Sequence, residues 1–401
     1  MMIGGAADKP CVLVAAARAD WEPAVLAALS QARMVVLRRC VDIVDLLGTA
    51  SAGAADVAVV AADLDGVDSE SLRELRGCGV AVVAIGDREP DLERLTRLGV
   101  ATVSGASGVV AAVEASLATR TPAAAGPDDA VAADDRDEGF RGRVVAVWGA
   151  AGAPGRSTVA AALAAERALA NRVTLCDLDP YAGTLAQSLG VLDEVSGLLA
   201  AARAANEGAL DGESLRAALR SVSPGLDLLT GLPRPERWLE VRPGVVESLI
   251  AIACRRGDVV LDCGFGAGSD DAAVAPSRIN AEALAGAEQI VVVGSAEPAA
   301  LSRLARALVE LDTSLGTGNR GGLFVVINRM RATLGWRTDD IVSMVTHVAP
   351  GARVSFWPYD RASLDRAALK GVALPALGET PLRDGARELL GELFDQVPNN
   401  R

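Results

Sequence analysis

The sequence predicts an α/β protein built from two doubly wound domains with mostly parallel sheets. Three observations carry that expectation. Short apolar runs alternate with amphipathic stretches along most of the 401 residues, the pattern of strands feeding helices that pack back on a parallel sheet. Hydrophobic residues make up 50% of the chain and aromatic residues only 3%, a composition that suits layered α/β packing better than an all-β fold. The alternation is broken once, by a polar stretch rich in Pro, Gly, Ala and acids.

The first domain is expected over residues 1–119. Its strand candidates are "CVLVAA", "MVVLRR", "DVAVVAA", "VAVVAIG" and "VATVSG". Helix candidates follow each, at 21–32, 41–53, 67–77, 89–97 and 107–118. Five β–α units of this length make one (βα)5 doubly wound sheet. The stretch "TRTPAAAGPDDAVAADDRDEGFRGR" has no periodic apolar face, and 120–141 is read as a flexible acidic linker.

The second domain is expected over 142–401. Its strands are "VVAVWG", "RVTLCDLD", "LDLLTG", "DVVLDCG", "QIVVVGS", "LFVVINR" and "RVSFWPY", separated by helical stretches and forming a larger parallel sheet. The terminal "PLRDGARELLGELFDQVPNNR" is mixed in charge and modestly amphipathic, so Leu389, Leu390, Leu393 and Phe394 are expected to pack on that sheet rather than on a lipid surface.

Composition narrows the function. A formal charge of −13 argues against a protein that coats nucleic acid, because such binding needs clustered cations. No apolar run approaches the ~20 residues of a membrane span, and no basic-then-apolar leader opens the chain. A cytoplasmic protein is therefore expected, with peripheral membrane contact left open. Six cysteines lie scattered without CxxC spacing and read as buried thiols. The single histidine, His347, has no ligand-type neighbours and no assigned role.

The chemistry is concentrated in "VVAVWGAAGAPGRSTVAAALAAE", Val144 to Glu166: an apolar strand, a glycine-containing loop and a helix start. A loop of the form GxxxxGK[ST] holds phosphate because successive backbone N–H groups curl around it at a helix N-terminus. Its lysine adds a point charge and its hydroxyl binds Mg²⁺. Here Gly155, Arg156, Ser157 and Thr158 close the pattern, and Ala150 stands at the first glycine. Arginine can pair with phosphate, but its planar fork is not equivalent to an ammonium. Further elements fall at strand ends in order. Asp177 and Asp179 follow "VTLC", Asp262 ends "VVL" at the place of a Walker-B carboxylate, and Asn328 ends "VVI" where an amide can read an adenine edge.

This series resembles the ParA/MinD-type ATPases with a deviant Walker A motif, over roughly 142–398. The family loop KGGxGKTT maps onto Ala151-Gly152-Ala153-Pro154-Gly155-Arg156-Ser157-Thr158, and its DxDP onto Asp177-Leu178-Asp179-Pro180. Its Walker-B Asp matches Asp262 and its adenine Asn matches Asn328. A late signature matches Pro358-Tyr359-Asp360, Ala368, Gly371 and Pro375. The phrases "GAPGRST", "DCGFG" and "LTGLPRPERW" look most like septum-site-determining (Ssd-like) and CpaE/TadZ pilus-localisation proteins.

The resemblance implies a P-loop NTPase domain and an ATP–Mg²⁺ site formed by 152–158 with Asn328 and Pro358. Ser157 and Asp262 would hold the metal, and Asp179 would orient an attacking water. It also implies a homodimer, and work in septum placement or pilus localisation at the septum or pole. Both family lysines are replaced, by Ala151 and Arg156, and the only lysines in the chain are Lys9 and Lys370. Hydrolysis is therefore expected to be slow or absent.

The first domain resembles a response-regulator receiver without its chemistry. Strand one ends without an acidic pair, and Ala61 falls where the phospho-acceptor would stand, with Asp63 two residues late. Strand five leads to no lysine. A pseudo-receiver that recruits division-site or pilus-assembly proteins is expected, with Asp63 and Asp65 as turn or cap residues.

Two other readings remain open. A degenerate ATPase that binds no nucleotide would act as a scaffold through its surfaces. A short-chain-dehydrogenase-like protein would use "GAAGAPGR" as GxxGxxG and Asp177 on a ribose. The second reading lacks the Tyr-x-x-x-Lys pair of that chemistry, because neither Tyr181 nor Tyr359 precedes a lysine at that spacing.

Overall fold

The computed structural model describes residues 9–16, 19–118, 141–181, 183–192, 195–267, 275–315, 322–335 and 337–394. The chain divides into two compact units, Met1–Arg136 with Asn206–Ala209, and Asp137–Ala205 with Leu210–Arg401. Apart from Arg141, the stretch read as an acidic linker lies outside the described residues.

The first unit is a five-stranded parallel sheet of β1 (Cys11–Ala15), β2 (Val35–Arg39), β3 (Val57–Ala61), β4 (Ala81–Gly86) and β5 (Ala101–Ser104). The spatial order is β2-β1-β3-β4-β5, one of the two common doubly wound orders. Its five helices, Glu22–Gln31, Ile43–Ala50, Ser69–Gly77, Glu89–Arg97 and Val109–Ala118, fall within the predicted spans. Alternate residues of one strand serve two cores: Val12 and Val14 pack on one face, Leu13 and Ala15 on the other. Helices on both faces explain why β1 and β3 read as continuous apolar runs.

The second unit carries an eight-stranded sheet. Its strands are β6 (Val144–Trp148), β7 (Val173–Leu178), β8 (Arg220–Ser223), β9 (Leu226–Leu229), β10 (Asp258–Cys263), β11 (Gln289–Ser295), β12 (Leu323–Met330) and β13 (Arg353–Pro358). The order is β13-β12-β11-β6-β10-β7-β9-β8. Seven strands match the sequence expectation, and β8 is an addition. It pairs antiparallel with β9 through a tight turn at Gly225, whose φ is +81°. "RSVS" is too short and polar to stand out as a strand, so the sheet is mostly rather than wholly parallel.

β6 lies between β10 and β11 and is buried along its whole length. Val144, Ala146 and Trp148 face one core, and Val145 and Val147 the other. The C-terminal helix Pro381–Phe394 buries Leu389 and Leu393 in the second of these, with Leu390 and Phe394 packed against it, as expected. Its Arg383 reaches a buried carboxylate on the helix that follows β6: Arg383 Nε and Nη2 donate to Glu166 at 2.7 and 3.0 Å. Arg387 Nε adds a third bond at 2.8 Å.

Candidate functional site

The carboxyl ends of β6, β10 and β7 lie side by side near the middle of the second sheet, with those of β12 and β13 toward one edge; open α/β folds place ligands at the carboxyl ends of their strands. β6 gives way to the loop 149–155, and the next helix starts at Arg156. Two glycines make that turn: Gly152 with φ +70° and Gly155, the residue before the helix, with φ +96°. Ala153 N–H is tied back to the Ala150 carbonyl at 2.9 Å. The N–H groups of Gly155, Arg156, Ser157 and Thr158 open the helix and have no carbonyl of their own helix to reach. Pro154 supplies no N–H, so this cradle has one donor fewer than its length suggests.

Arg156 does not project from the loop as a lysine would. Its guanidinium folds back, with Nη1 donating to the Gly149 and Ala150 carbonyls at 3.3 and 3.0 Å. Nη2 meets Asp179 Oδ2 at 3.4 Å. Asp179 Oδ1 also accepts from Tyr181 N–H at 2.9 Å, so the water-orienting candidate is held from two sides.

Beneath the loop, Asp262 on β10 and Asp177 on β7 stand opposite each other in register. Both are buried. Neither Oδ atom of Asp262 has a hydrogen-bond partner. Burial pushes its pKa well above the carboxylate range, and the charge of Asp177 adds to this. The Ser157 hydroxyl beside it offsets part of the shift. Asp177 is raised to about 7, by burial first, while a bond from Leu185 N–H opposes the rise and the charge of Asp179 adds to it.

A carboxyl group that holds its proton more tightly when folded costs stability as pH rises. The cost starts near its unfolded value of about 3.9 and is fully developed above about 7. Asp177→Asn removes this contribution. The variant is expected to gain stability relative to wild type as pH rises from 4 to 7, measured by denaturant unfolding across that range in the absence of metal.

Asn328 lies near the carboxyl end of β12 and binds the loop itself: Nδ2 donates to the Pro154 carbonyl at 3.1 Å, and Oδ1 accepts from Arg329 N–H at 2.8 Å. One proton of the amide group and one lone pair of Oδ1 stay open to a base edge. A cleft of about 240 Å³ opens beside it, lined among others by Gly155, Thr158, Asn328, Pro358 and Tyr359. Four of the residues nominated from sequence thus share one cavity wall, while Arg156, Ser157, Asp179 and Asp262 cluster under the loop. Gly152 and Ala153 form the turn between β6 and Pro154.

The sequence reading missed Asn280. It is fully buried; Oδ1 accepts from Gly264 N–H at 3.0 Å, and Nδ2 donates to the Phe265 carbonyl at 2.9 Å. It thereby fixes the loop after Asp262, on which Phe265 stacks against Tyr181 with ring centroids 4.3 Å apart. An Asn sixteen residues from its partner leaves no local pattern to find.

The site has the parts for a magnesium-bound polyphosphate: free N–H groups at a helix start, a hydroxyl, and a buried carboxylate lacking partners. Among the described residues no cluster of three or more His, Cys, Asp or Glu would hold a metal alone. The ion would need phosphate oxygens beside Ser157, with Asp262 supporting it through water.

No family model matches the chain. Two uncharacterized proteins of Mycobacterium tuberculosis, from strains H37Rv and CDC 1551, are each 34% identical over 189 residues, covering 46% of this chain and 49% of theirs. The chain thus spans about half the length of the curated relatives it matches. Among solved structures, a ParA family ATPase from Chlorobium tepidum TLS superposes with a TM-score of 0.53 at 22% identity, covering 62% of this chain and 98% of that one. Over the matched part the chain has the fold of this ParA family ATPase. A Cyanothece McdA variant in complex with ATP gives 0.50 at 18% identity, covering 66% and 100%. No helix among the described residues is long and apolar enough to cross a membrane.

Proposed function

We propose that this chain is a nucleotide-binding positioning protein of the ParA/MinD type. It binds ATP with Mg²⁺ at the loop 152–158 and hydrolyses it slowly or not at all. The observation that carries the reading is Asp262, a fully buried carboxylate with two unpartnered oxygens beside the Ser157 hydroxyl under a helix start. Burying a carboxylate unpaired is costly, and a hydrated Mg²⁺ on bound phosphates would supply what it lacks. The ATP carried by the McdA variant of the same fold agrees with this.

Slow turnover follows from Arg156, whose guanidinium is tied to Asp179 and to two loop carbonyls rather than held out toward a phosphate. With Ala151 in place of the family's dimer-crossing lysine, any homodimer gains little from nucleotide, because a ligand shifts an equilibrium only by its differential affinity. The five-stranded unit acts as a pseudo-receiver that recruits division-site or pilus-assembly proteins. The protein works in the cytoplasm, at septum or pole, as Ssd-like and CpaE/TadZ-like proteins do.

Thermal unfolding of the whole chain tests the nucleotide claim. A ligand at ten times its Kd stabilises the native state by about 1.4 kcal/mol, so millimolar ATP–Mg²⁺ is expected to raise the midpoint of the larger unit by a few degrees. An unchanged midpoint would favour the nucleotide-free scaffold, in which Arg156 permanently fills the loop.

A further inference from the structure

We infer that Arg329 supplies the cation that the phosphate loop lacks, reaching the anionic part of a nucleotide whose base lies against Asn328. This rests on the nucleotide reading above and names the residue on which affinity depends. Three observations carry it.

The first is how the charges around the loop are engaged. Arg156 is spent on two loop carbonyls and Asp179. Arg331 pairs with Glu297 at 3.0 Å and lies over Tyr359. Arg361 meets Asp365 at 3.2 Å, and Asp360 Oδ1 caps the following helix through Ser363 N–H while its buried Oδ2 has no hydrogen-bond partner. Arg329 also lines the cleft, yet its guanidinium has no hydrogen-bond or ion-pair partner among the described residues.

The second is backbone strain. Arg329 has φ +58°, a left-handed conformation that glycine adopts freely and a long side chain does not. Strain of this kind gathers at ligand sites. The third is its cause: the pairing of β12 with β13 slips between Ile327 and Met330. The slip lets consecutive residues serve one site, with the Asn328 amide on the Pro154 carbonyl and the exposed Arg329 at the cleft.

An arginine–phosphate contact is a charge-assisted, fork-shaped interaction, and losing one costs roughly tenfold or more in affinity. Calorimetric titration of the whole chain with ATP–Mg²⁺, together with thermal unfolding, tests the assignment on wild type and on Arg329→Ala, Arg329→Lys and Arg329→Gly. Arg329→Ala and Arg329→Gly are expected to bind about tenfold more weakly or worse, and Arg329→Lys, which keeps the charge but loses the fork, to fall between them and wild type. Arg329→Gly should unfold a few degrees higher than wild type, because glycine relieves the strain. Weaker binding by a more stable protein separates a ligand contact from a structural role. Equal affinity in wild type and all three variants would overturn the assignment while leaving the nucleotide reading intact. No binding by wild type would end both.

Discussion

Replacing Glu166 with alanine is expected to lower the stability of the larger unit by about 3 kcal/mol, because breaking a buried ion pair from one side strands the other charge. Glu166 and Arg383 are 6% and 9% exposed and share two hydrogen bonds. With Glu166 gone, Arg383 keeps the Gly378 carbonyl at 2.9 Å and a longer contact to the exposed Glu379. That residual support places the loss at the lower end of the range for such pairs. Arg387, which is half exposed, can turn to water and adds little. Glu166 lies in the last turn of the helix that begins at the phosphate loop, so the substitution also loosens the seat of the terminal helix on it. Urea unfolding of wild type and variant measures the difference, and a loss below 1 kcal/mol would mean that the two helices hold together through apolar contacts alone.

Gly155→Ala should be nearly as damaging, and it acts at the site itself. A Cβ at this position would lie 2.1 Å from Asn328 Nδ2, and φ is +96°. The left-handed backbone alone costs about 1–2 kcal/mol for a residue with a side chain, and forcing an atom into a packed contact adds about 1–3. Relief requires Asn328 to leave the Pro154 carbonyl, which frees the loop from β12. The variant is expected to unfold at least 2 kcal/mol more easily and to lose nucleotide affinity. Gly152→Ala is the control: nothing lies within 4 Å of its added Cβ, so it carries backbone strain without the clash.

The parallel strands of the two sheets were legible because strands buried on both faces read as unbroken apolar runs, as in β6 and β10. The loop, Asp179, Asp262 and Asn328 were legible because each stands at a strand's carboxyl end, where chain order and position in the fold coincide. What stayed hidden depends on long-range contacts. Nothing in the sequence says that Arg156 turns back on its own loop, that Glu166 meets an arginine 217 residues away, or that a slipped register exposes Arg329. Asp177 looked like a ribose or motif residue. Its burial against Gly183 and Gly231, where a Cβ at either would stand 2.8 Å from its carboxyl group, became visible only in three dimensions.

The central claim is that nucleotide and magnesium meet at Ser157 and Asp262. The most direct test is calorimetric titration of ATP into the whole chain with Mg²⁺ and with EDTA, for wild type and Ser157→Ala. The account predicts weak binding that magnesium strengthens in wild type, and binding without that magnesium effect in Ser157→Ala. Wild-type binding that is indifferent to magnesium, or no heat at millimolar nucleotide, would contradict it.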